Sequence, residues 1–456
     1  MPLDRTDRDF LKDAYGRLAD QPLPPDSPFY EPVYQELGLD DPVQRIATLI
    51  DFDGIESIRL FSGFRGSGKT TELLRLQRRL EAEGYAVLYA DALEYVNAAE
   101  PIEISALLIA LAGAFSDALE KTLGSRPADE TFWQRIRGFL DRVHLTEAGI
   151  AAGMDTLGKT AAGGLTAGVD LKFELKSATG FRARLRDLLA NRLSELKGQV
   201  DAFFEDGIKR IRADRGDDTK VVFIFDQLEQ LRGTLQTEQD VIRSVQRIFS
   251  IHLDLLRIPY VHAVFTVPPW LKFVLPGTVQ ITLLPTVHLW NNDAGRTRCE
   301  PAWAAFRSVV ARRLADERQR RVFGNEPAGQ RQVDRLIDVC GGHFRDLLRL
   351  LRDAVVRATS LPALPVPDSV VDAVINAGRR DFLPIARDDA RWLDEIARLR
   401  APALASTDAG PVNRLARFLD SHFVLYFVNA DEWYDVHPLI RDEVAEMMRT
   451  AAAPGG

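Results

Sequence analysis

Residues 63–70 read Gly63-Phe64-Arg65-Gly66-Ser67-Gly68-Lys69-Thr70. The spacing is G-x-x-x-x-G-K-T, in which glycines let the backbone curl until several N–H groups face one phosphate. An apolar run at residues 58–61 precedes the loop, and a helical pattern at residues 71–76 follows it. A strand, a glycine-rich turn and a helix in this order predict a phosphate-binding P-loop, because the helix directs its positive dipole end at the same anion.

The loop predicts ATP or ADP as a ligand, with Mg²⁺ beside it. Lys69 is expected to reach the β- and γ-phosphates, and Thr70 to ligate Mg²⁺. The predicted nucleotide contacts from this segment are Gly63, Arg65, Gly66, Ser67, Gly68, Lys69, Thr70 and Thr71.

The composition of the chain favours some classes of protein and excludes others. The chain has 456 residues, 46% of them hydrophobic and 27% charged, which is typical of a soluble globular protein of two or three domains. Its net charge of -8 argues against a broad nucleic-acid footprint. The only cysteines, Cys299 and Cys340, are far apart and without a partner motif, which favours a reduced, cytoplasmic protein with no disulfide framework or zinc site. No segment reads as a signal peptide or a membrane helix.

Alternating strands and helices predict a parallel α/β sheet behind the P-loop. The predicted strands are residues 58–61, 85–91, 221–225, 261–266 and 279–284. About 130 residues separate the second strand from the third, far more than a crossover needs, so an insert is expected there. Its outer parts, residues 104–123 and 181–211, have helical spacing.

The middle of the insert has two unusual stretches. Residues 149–168 are rich in glycine and alanine, and residues 169–176 alternate apolar and polar side chains, which predicts an amphipathic strand. The glycine-rich stretch fits a flexible linker, an element that orders on oligomerisation or partner contact, or, as a third reading, a membrane-inserting segment.

The pattern divides the chain into five predicted regions. They are an N-terminal helix and linker (1–40), a P-loop ATPase core (41–300) with the insert at about 100–215, a helical lid (301–365), a winged helix (366–450) and a tail (451–456).

A second acidic motif predicts hydrolysis. The apolar strand from Lys220 ends at Asp226, where a carboxylate can hold Mg²⁺ together with Thr70. The next residue is Gln227, at a position where many P-loop ATPases carry a water-orienting glutamate. Glu229 is the nearest acid that can take this role, so the predicted catalytic residues are Lys69, Asp226 and Glu229.

Three segments resemble STAND-class ATPases, the signal-transduction branch related to AAA+ proteins. Their Walker B motif is similar to Asp226-Gln227-Leu228-Glu229-Gln230. Their MHD segment resembles residues 435–442, in which Val and Pro replace Met and Asp. Their lid segment resembles residues 340–348. The resemblance implies that His437 contacts an ADP phosphate and that Arg345 acts as sensor 2. A core histidine and a surface helix residue are the alternative interpretations.

The source of positive charge for the γ-phosphate is less defined. The predicted strand 261–266 continues into residues 267–269, where many STAND and AAA+ proteins have a sensor-1 arginine and this chain has Val and two Pro. Thr266, at the end of the strand, can meet the γ-phosphate but carries no charge. Arg312 and Arg313 can act as arginine fingers toward a neighbouring subunit, or can lie on a solvated helix face.

Charge argues against DNA reading by the winged helix. Residues 371–456 contain ten Arg, no Lys and fourteen Asp or Glu, whereas duplex binding needs basic side chains that neutralise phosphates. A regulatory or packing role is favoured.

The resemblance implies an ATP-hydrolysing switch that controls oligomerisation or a separate effector or sensor protein, as in bacterial conflict or antiviral defence. A homo-oligomer is the expected assembly. Two other classes stay open: an AAA+ ATPase that remodels or loads DNA, and a nucleotide-dependent scaffold with little turnover.

Overall fold

The computed structural model describes residues 5–37, 41–124, 132–146, 164–234, 236–406, 409–429 and 431–452. The chain forms two compact units. The loop unit comprises Met1–Arg45, Gly63–Arg75 and Leu283–Gly456, and the sheet unit comprises Ile46–Ser62 and Leu76–Thr282. The five linear regions predicted from the sequence stay a prediction.

In chain order the α-helices are α1 Arg5–Arg17, α2 Val33–Glu36, α3 Pro42–Phe52, α4 Lys69–Ala82, α5 Ile104–Leu123, α6 Phe132–Thr146, α7 Gly164–Ser177, α8 Thr179–Leu189, α9 Leu193–Arg215, α10 Glu238–Ile251, α11 Glu300–Phe323, α12 Ala328–Val339, α13 Phe344–Ala358, α14 Asp368–Arg380, α15 Arg387–Leu399, α16 Ala409–Asp420 and α17 Pro438–Ala452. The strands are β1 Ser57–Gly63, β2 Ala86–Asp91, β3 Val221–Asp226, β4 Val261–Val267, β5 Ile281–Leu284, β6 Val424–Asn429 and β7 Asp431–Val436.

The main sheet has the order β2-β3-β4-β1-β5. The pairs β2–β3, β3–β4 and β1–β4 are parallel, with Asp91 opposite Asp226 and Phe225 opposite Phe265. Every residue of β3 and β4 is buried, as expected for central strands of a sheet covered on both faces. The predicted parallel α/β sheet is therefore confirmed, and β1 runs directly into the P-loop and α4.

The predicted helical insert is also confirmed. It lies between β2 and β3, which are neighbours in the sheet, and it contains helices α5 to α9 within the described part of the chain. Phe115 of α5 packs on Phe204 of α9 at 4.3 Å between ring centres and on Phe223 of β3 at 5.6 Å. The insert is thus anchored by aromatic side chains on the sheet.

The strand predicted at residues 169–176 is wrong, because these residues belong to helix α7. Leu171 and Leu175 are both buried, and their separation of four residues fits one face of a helix as well as an alternating strand. Phe173, which a strand would bury with them, is 68% exposed. Lys172 lies over the Tyr95 ring at 3.9 Å. The glycine-rich stretch predicted as a linker or adaptable element falls outside the described residues up to residue 163.

In the loop unit, α11 to α14 precede a C-terminal group of helices and a hairpin. Helix α11 is broken at Ala315, whose φ of +55° is non-helical. Strands β6 and β7 pair antiparallel, and Phe427 stacks on Trp433 at 4.3 Å. The predicted winged helix, helices joined to a two-stranded wing, is confirmed. Among the described residues, no helix combines the length and apolar character that a membrane span requires.

Candidate functional site

The P-loop curls because two glycines adopt left-handed backbone conformations. Gly66 has a φ of +91° and Gly68 a φ of +97°, which other residues rarely adopt. The buried Lys69 ammonium donates to the carbonyl oxygens of Gly63 at 2.8 Å and Phe64 at 2.9 Å. The Ser67 hydroxyl also donates to Phe64 O, at 2.8 Å. The loop is therefore a tight turn whose lysine is directed inward.

The start of α13 lies on this loop. The Arg345 backbone N–H donates to Gly66 O at 3.3 Å, and His343 Nε2 lies 3.1 Å from Arg65 O. A Cβ added to Gly66 would lie 2.6 Å from Arg345 Cβ, so the glycine is needed for this approach as well as for its φ. The segment predicted as a lid thus contacts the backbone of the loop through the Arg345 N–H and the His343 ring.

The Arg345 guanidinium, predicted as sensor 2, is directed at the N-terminal segment. Its Nε lies 3.2 Å from Asp20 Oδ2, and Arg349 and Arg352 lie 3.8 and 3.6 Å from the same carboxylate. Burial lowers the pKa of Arg345, and the charge of Asp20 acts in the opposite direction. Arg345 is at the loop, while its charge is shared with Asp20; a contact with nucleotide stays a prediction.

Two more contacts fix the N-terminal segment on helix α4. The Leu23 N–H donates to Thr71 Oγ1 at 3.0 Å, and the Tyr30 hydroxyl donates to Glu72 Oε1 at 3.1 Å. Burial, with the charge of Glu72, raises the pKa of Tyr30. The hydroxyl oxygen of Thr71, one of the predicted nucleotide residues, is therefore already used as an acceptor within the protein.

Beside the loop, three histidines surround one carboxylate. Asp346 Oδ2 lies 2.8 Å from His343 Nδ1, 3.4 Å from His437 Nε2 and 3.7 Å from His422 Nδ1. The ring of His422 also meets Phe64 of the P-loop edge-on, 5.7 Å between ring centres. The structure places His437 in this histidine cluster, with its Nδ1 accepting from the Leu439 N–H at 3.3 Å.

Burial sets the charge of the cluster. It lowers the pKa of His437 and brings the pKa of His422 to about 3. Burial acts to raise the pKa of Asp346, but His343 and the other two histidines hold it well below its ordinary value. At neutral pH the cluster therefore contains a carboxylate and neutral His422 and His437 rings.

In the sheet unit, acidic groups follow the ends of adjacent strands. Asp226 is fully buried; its Oδ2 accepts from the Tyr89 hydroxyl at 2.5 Å and its Oδ1 from the Gln227 N–H at 2.7 Å. Burial, then the charge of Asp226, raises the pKa of Tyr89. A carboxylate such as Asp226 is the kind of oxygen ligand that Mg²⁺ prefers.

Gln227, at the position where many P-loop ATPases carry a glutamate, has its side chain held by other groups. Its φ is +72°, its side-chain amide N–H donates to Asp91, and its Oε1 accepts from Gln230 at 2.6 Å. Burial raises the pKa of Asp91, with Glu94 and Glu229 adding to the effect.

Thr266 supports the turn that carries Glu229. The buried Thr266 Oγ1 accepts from the Leu228 N–H at 3.0 Å, at the start of the short 3₁₀-helix Leu228–Gln230. Glu229 itself is only 7% exposed. The oxygen predicted to meet the γ-phosphate is thus engaged with the backbone that follows Asp226.

Both candidate arginine fingers contact the N-terminal segment. Arg313 is buried and donates to the carbonyl oxygens of Arg17 at 2.9 Å and Ala19 at 3.0 Å. Arg312 is paired with Glu31. Arg313 therefore does not lie on a solvated helix face, which corrects one of the two predicted interpretations.

Sequence reasoning missed several residues of these sites. Asp346 lies three residues after His343 in the lid segment, and Asp91 ends a predicted strand, so both had a local signal. Asp20, Tyr89 and His422 reach their partners only through the fold, and no local pattern marks them.

The chain matches no protein-family model and no curated protein sequence. Among solved structures it is similar to the Aeropyrum pernix ORC2 protein in ADPNP-ADP complexes, at 13% identity over 90% of this chain and 94% of that chain, with a TM-score of 0.37. It is also similar to Cdc6p from Pyrobaculum aerophilum, at 11% identity over 96% and 98%, with a TM-score of 0.36. The α/β P-loop fold described above follows from strand order and register.

Proposed function

We propose that the chain binds ATP and ADP with Mg²⁺ at the P-loop, hydrolyses ATP slowly and acts as an AAA+/STAND-like switch. The main support is the contact of the lid segment with the loop backbone at Arg65 and Gly66. The carbonyl groups that contact α13 belong to the same backbone whose N–H groups are proposed to surround the phosphate. Nucleotide state is thereby coupled to the lid.

The proposed roles follow the sequence motifs. Lys69 neutralises the β- and γ-phosphates, and Thr70 and Asp226 hold Mg²⁺, which supplies charge neutralisation on the transferred phosphoryl group. Glu229 orients the attacking water, and Thr266 holds the turn on which Glu229 lies. Arg345 and His437 belong to the lid and winged helix that respond to the nucleotide.

Lys69→Ala tests nucleotide binding directly. Loss of a charge-assisted contact to phosphate costs about 1.5–3 kcal/mol, so affinity for a fluorescent ADP or ATP analogue should fall by about 10- to 100-fold. Lys12→Ala is the matched control, because Lys12 is an exposed lysine paired with Asp9 in α1. Unchanged affinity in a folded Lys69→Ala protein contradicts the proposal.

The proposed output is assembly of copies of this chain or control of a separate effector or sensor protein, in a bacterial conflict or antiviral defence system. The support is the STAND resemblance together with the lid contact. ADP favours the form in which the lid segment is held on the loop. Exchange of ADP for ATP releases the lid and permits assembly.

A second candidate is a nucleotide-dependent scaffold with little turnover. It is favoured by Gln227, whose side chain is tied to Asp91 and Gln230. The ATPase rate of the purified chain separates the two: a rate that disappears in Glu229→Gln supports the hydrolysing switch, and the absence of turnover in the unmodified protein supports the scaffold.

A further inference from the structure

The histidine cluster contains residues that the nucleotide-binding motifs do not account for. His343 precedes α13, Asp346 is in its first turn, and His422 lies between α16 and β6. We propose that His343, Asp346 and His422 form a binding site for one divalent transition-metal ion, Zn²⁺ by its ligand chemistry. This ion is distinct from the Mg²⁺ proposed at Thr70 and Asp226.

The three side chains have the spacing of metal ligands. One ligand atom from each lies within 4.8 Å of the others. Zn²⁺ bonds of about 2.0–2.2 Å in tetrahedral geometry separate neighbouring ligand atoms by about 3.4 Å. The contacts of Asp346 Oδ2 with His343 Nδ1 at 2.8 Å and His422 Nδ1 at 3.7 Å bracket this value. Two imidazoles and one carboxylate suit Zn²⁺ among the biological cations.

Hydrogen-bond geometry favours a metal over a simple ion pair. His343 Nδ1 and Asp346 Oδ2 are both buried, and neither has a hydrogen-bond partner among the described residues, although only 2.8 Å separates them. A shared cation gives both buried atoms a partner.

The outer contacts orient the ligands. His343 Nε2 lies 3.1 Å from Arg65 O, and because a carbonyl oxygen only accepts, Nε2 carries the proton of this hydrogen bond. In the neutral ring the other nitrogen, Nδ1, then has its lone pair available toward the cluster. Metal-binding histidines are commonly fixed through their second nitrogen in this way. His437 Nδ1 accepts from the Leu439 N–H, so its Nε2 carries the proton and is an outer neighbour of Asp346.

The backbone at His422 has an unusual conformation. His422 has a φ of +61°, in the left-handed region that side-chain-bearing residues seldom occupy. Residues held in this way are concentrated at ligand sites, where the surroundings fix them. The conformation directs His422 at both Asp346 and the P-loop residue Phe64. A metal here would link α13 to the chain entering β6, beside the P-loop.

The experiment uses the full chain without a polyhistidine tag. After dialysis against a chelator, the protein is loaded with Zn²⁺, and retained metal is measured by mass spectrometry, with affinity from competition against a chromophoric chelator. We expect about one ion per chain, an increase in the melting midpoint on loading, and visible absorption of bound Co²⁺ typical of low coordination number.

Variants locate the ion. His422→Gln and Asp346→Asn should each weaken Zn²⁺ binding by at least about 100-fold, whereas His437→Gln should keep the stoichiometry and weaken it by about 10- to 100-fold. His252→Asn, a histidine of the sheet unit, is the matched control and should bind as the unmodified chain does. Lys69→Ala should also keep its metal, which separates this site from nucleotide binding.

Two outcomes overturn the proposal. One is the absence of Zn²⁺ or Co²⁺ retention, and of any melting shift, in the unmodified chain. The other is undiminished stoichiometry and affinity in both ligand variants.

Discussion

Gly66→Ala should loosen the lid, and the structure allows its cost to be separated into two parts. The new Cβ would be placed on a backbone with a φ of +91°, which costs about 1–2 kcal/mol. It would also lie 2.6 Å from Arg345 Cβ and 2.9 Å from Arg345 Cδ and Nε, an overpacking that costs about 1–3 kcal/mol more. The sum is about 2–5 kcal/mol of lost stability, concentrated at the contact of α13 with the loop.

Gly84→Ala isolates the backbone part. Gly84 has a φ of +89°, and among the described residues no heavy atom beyond Gly84 and its two chain neighbours lies within 4 Å of the position that a Cβ would take there. Only the cost of the left-handed conformation therefore applies. Hydrogen exchange of the Arg345 amide, which donates to Gly66 O, should accelerate in Gly66→Ala and stay unchanged in Gly84→Ala. Equal loss of stability in the two variants, within about 0.5 kcal/mol, with unchanged exchange at Arg345, refutes the lid contact.

Three further predictions concern catalysis, the N-terminal segment and pH. Glu229→Gln should abolish ATP hydrolysis in a phosphate-release assay while fluorescent-ADP affinity is retained. Asp20→Asn removes the carboxylate that Arg345 shares with two other arginines, so ATP affinity measured by fluorescence titration should rise by about 2- to 5-fold. ATP affinity should be unchanged in the control Asp9→Asn, because Asp9 belongs to an exposed ion pair in α1. Burial lowers the pKa of His262 in the folded protein below its ordinary 6.5. The stability that depends on the neutral ring is therefore complete above pH 6.5 and is lost as the pH falls through the lowered pKa of the folded state. Melting midpoints measured from about pH 7 to pH 5 should fall less steeply in His262→Gln than in the unmodified chain.

Much of the fold could be predicted because its signals are local. The loop at residues 63–70 lies between a strand and a helix, and the apolar strand ending at Asp226 is readable without knowing its neighbours. The wing, β6 and β7, is marked by two short apolar runs. These elements formed as the sequence indicates because each buries its own apolar face.

The failures have a common physical cause. Leu171 and Leu175 satisfy both a helical and an alternating spacing, and only the exposed Phe173 distinguishes them, which requires knowledge of the surroundings. His422 is 76 positions after Asp346, and Asp20 is more than 300 before Arg345. Their contacts arise from chain packing, which no single-sequence pattern records.

The proposed switch requires that nucleotide at the P-loop controls assembly. Molar mass can be measured by light scattering after size-exclusion chromatography, with the unmodified chain and Lys69→Ala each in ADP and in a non-hydrolysable ATP analogue. The switch predicts a larger assembly for the unmodified chain in the ATP analogue than in ADP, and one mass for Lys69→Ala in both. Equal masses of the unmodified chain with both nucleotides bound would contradict it.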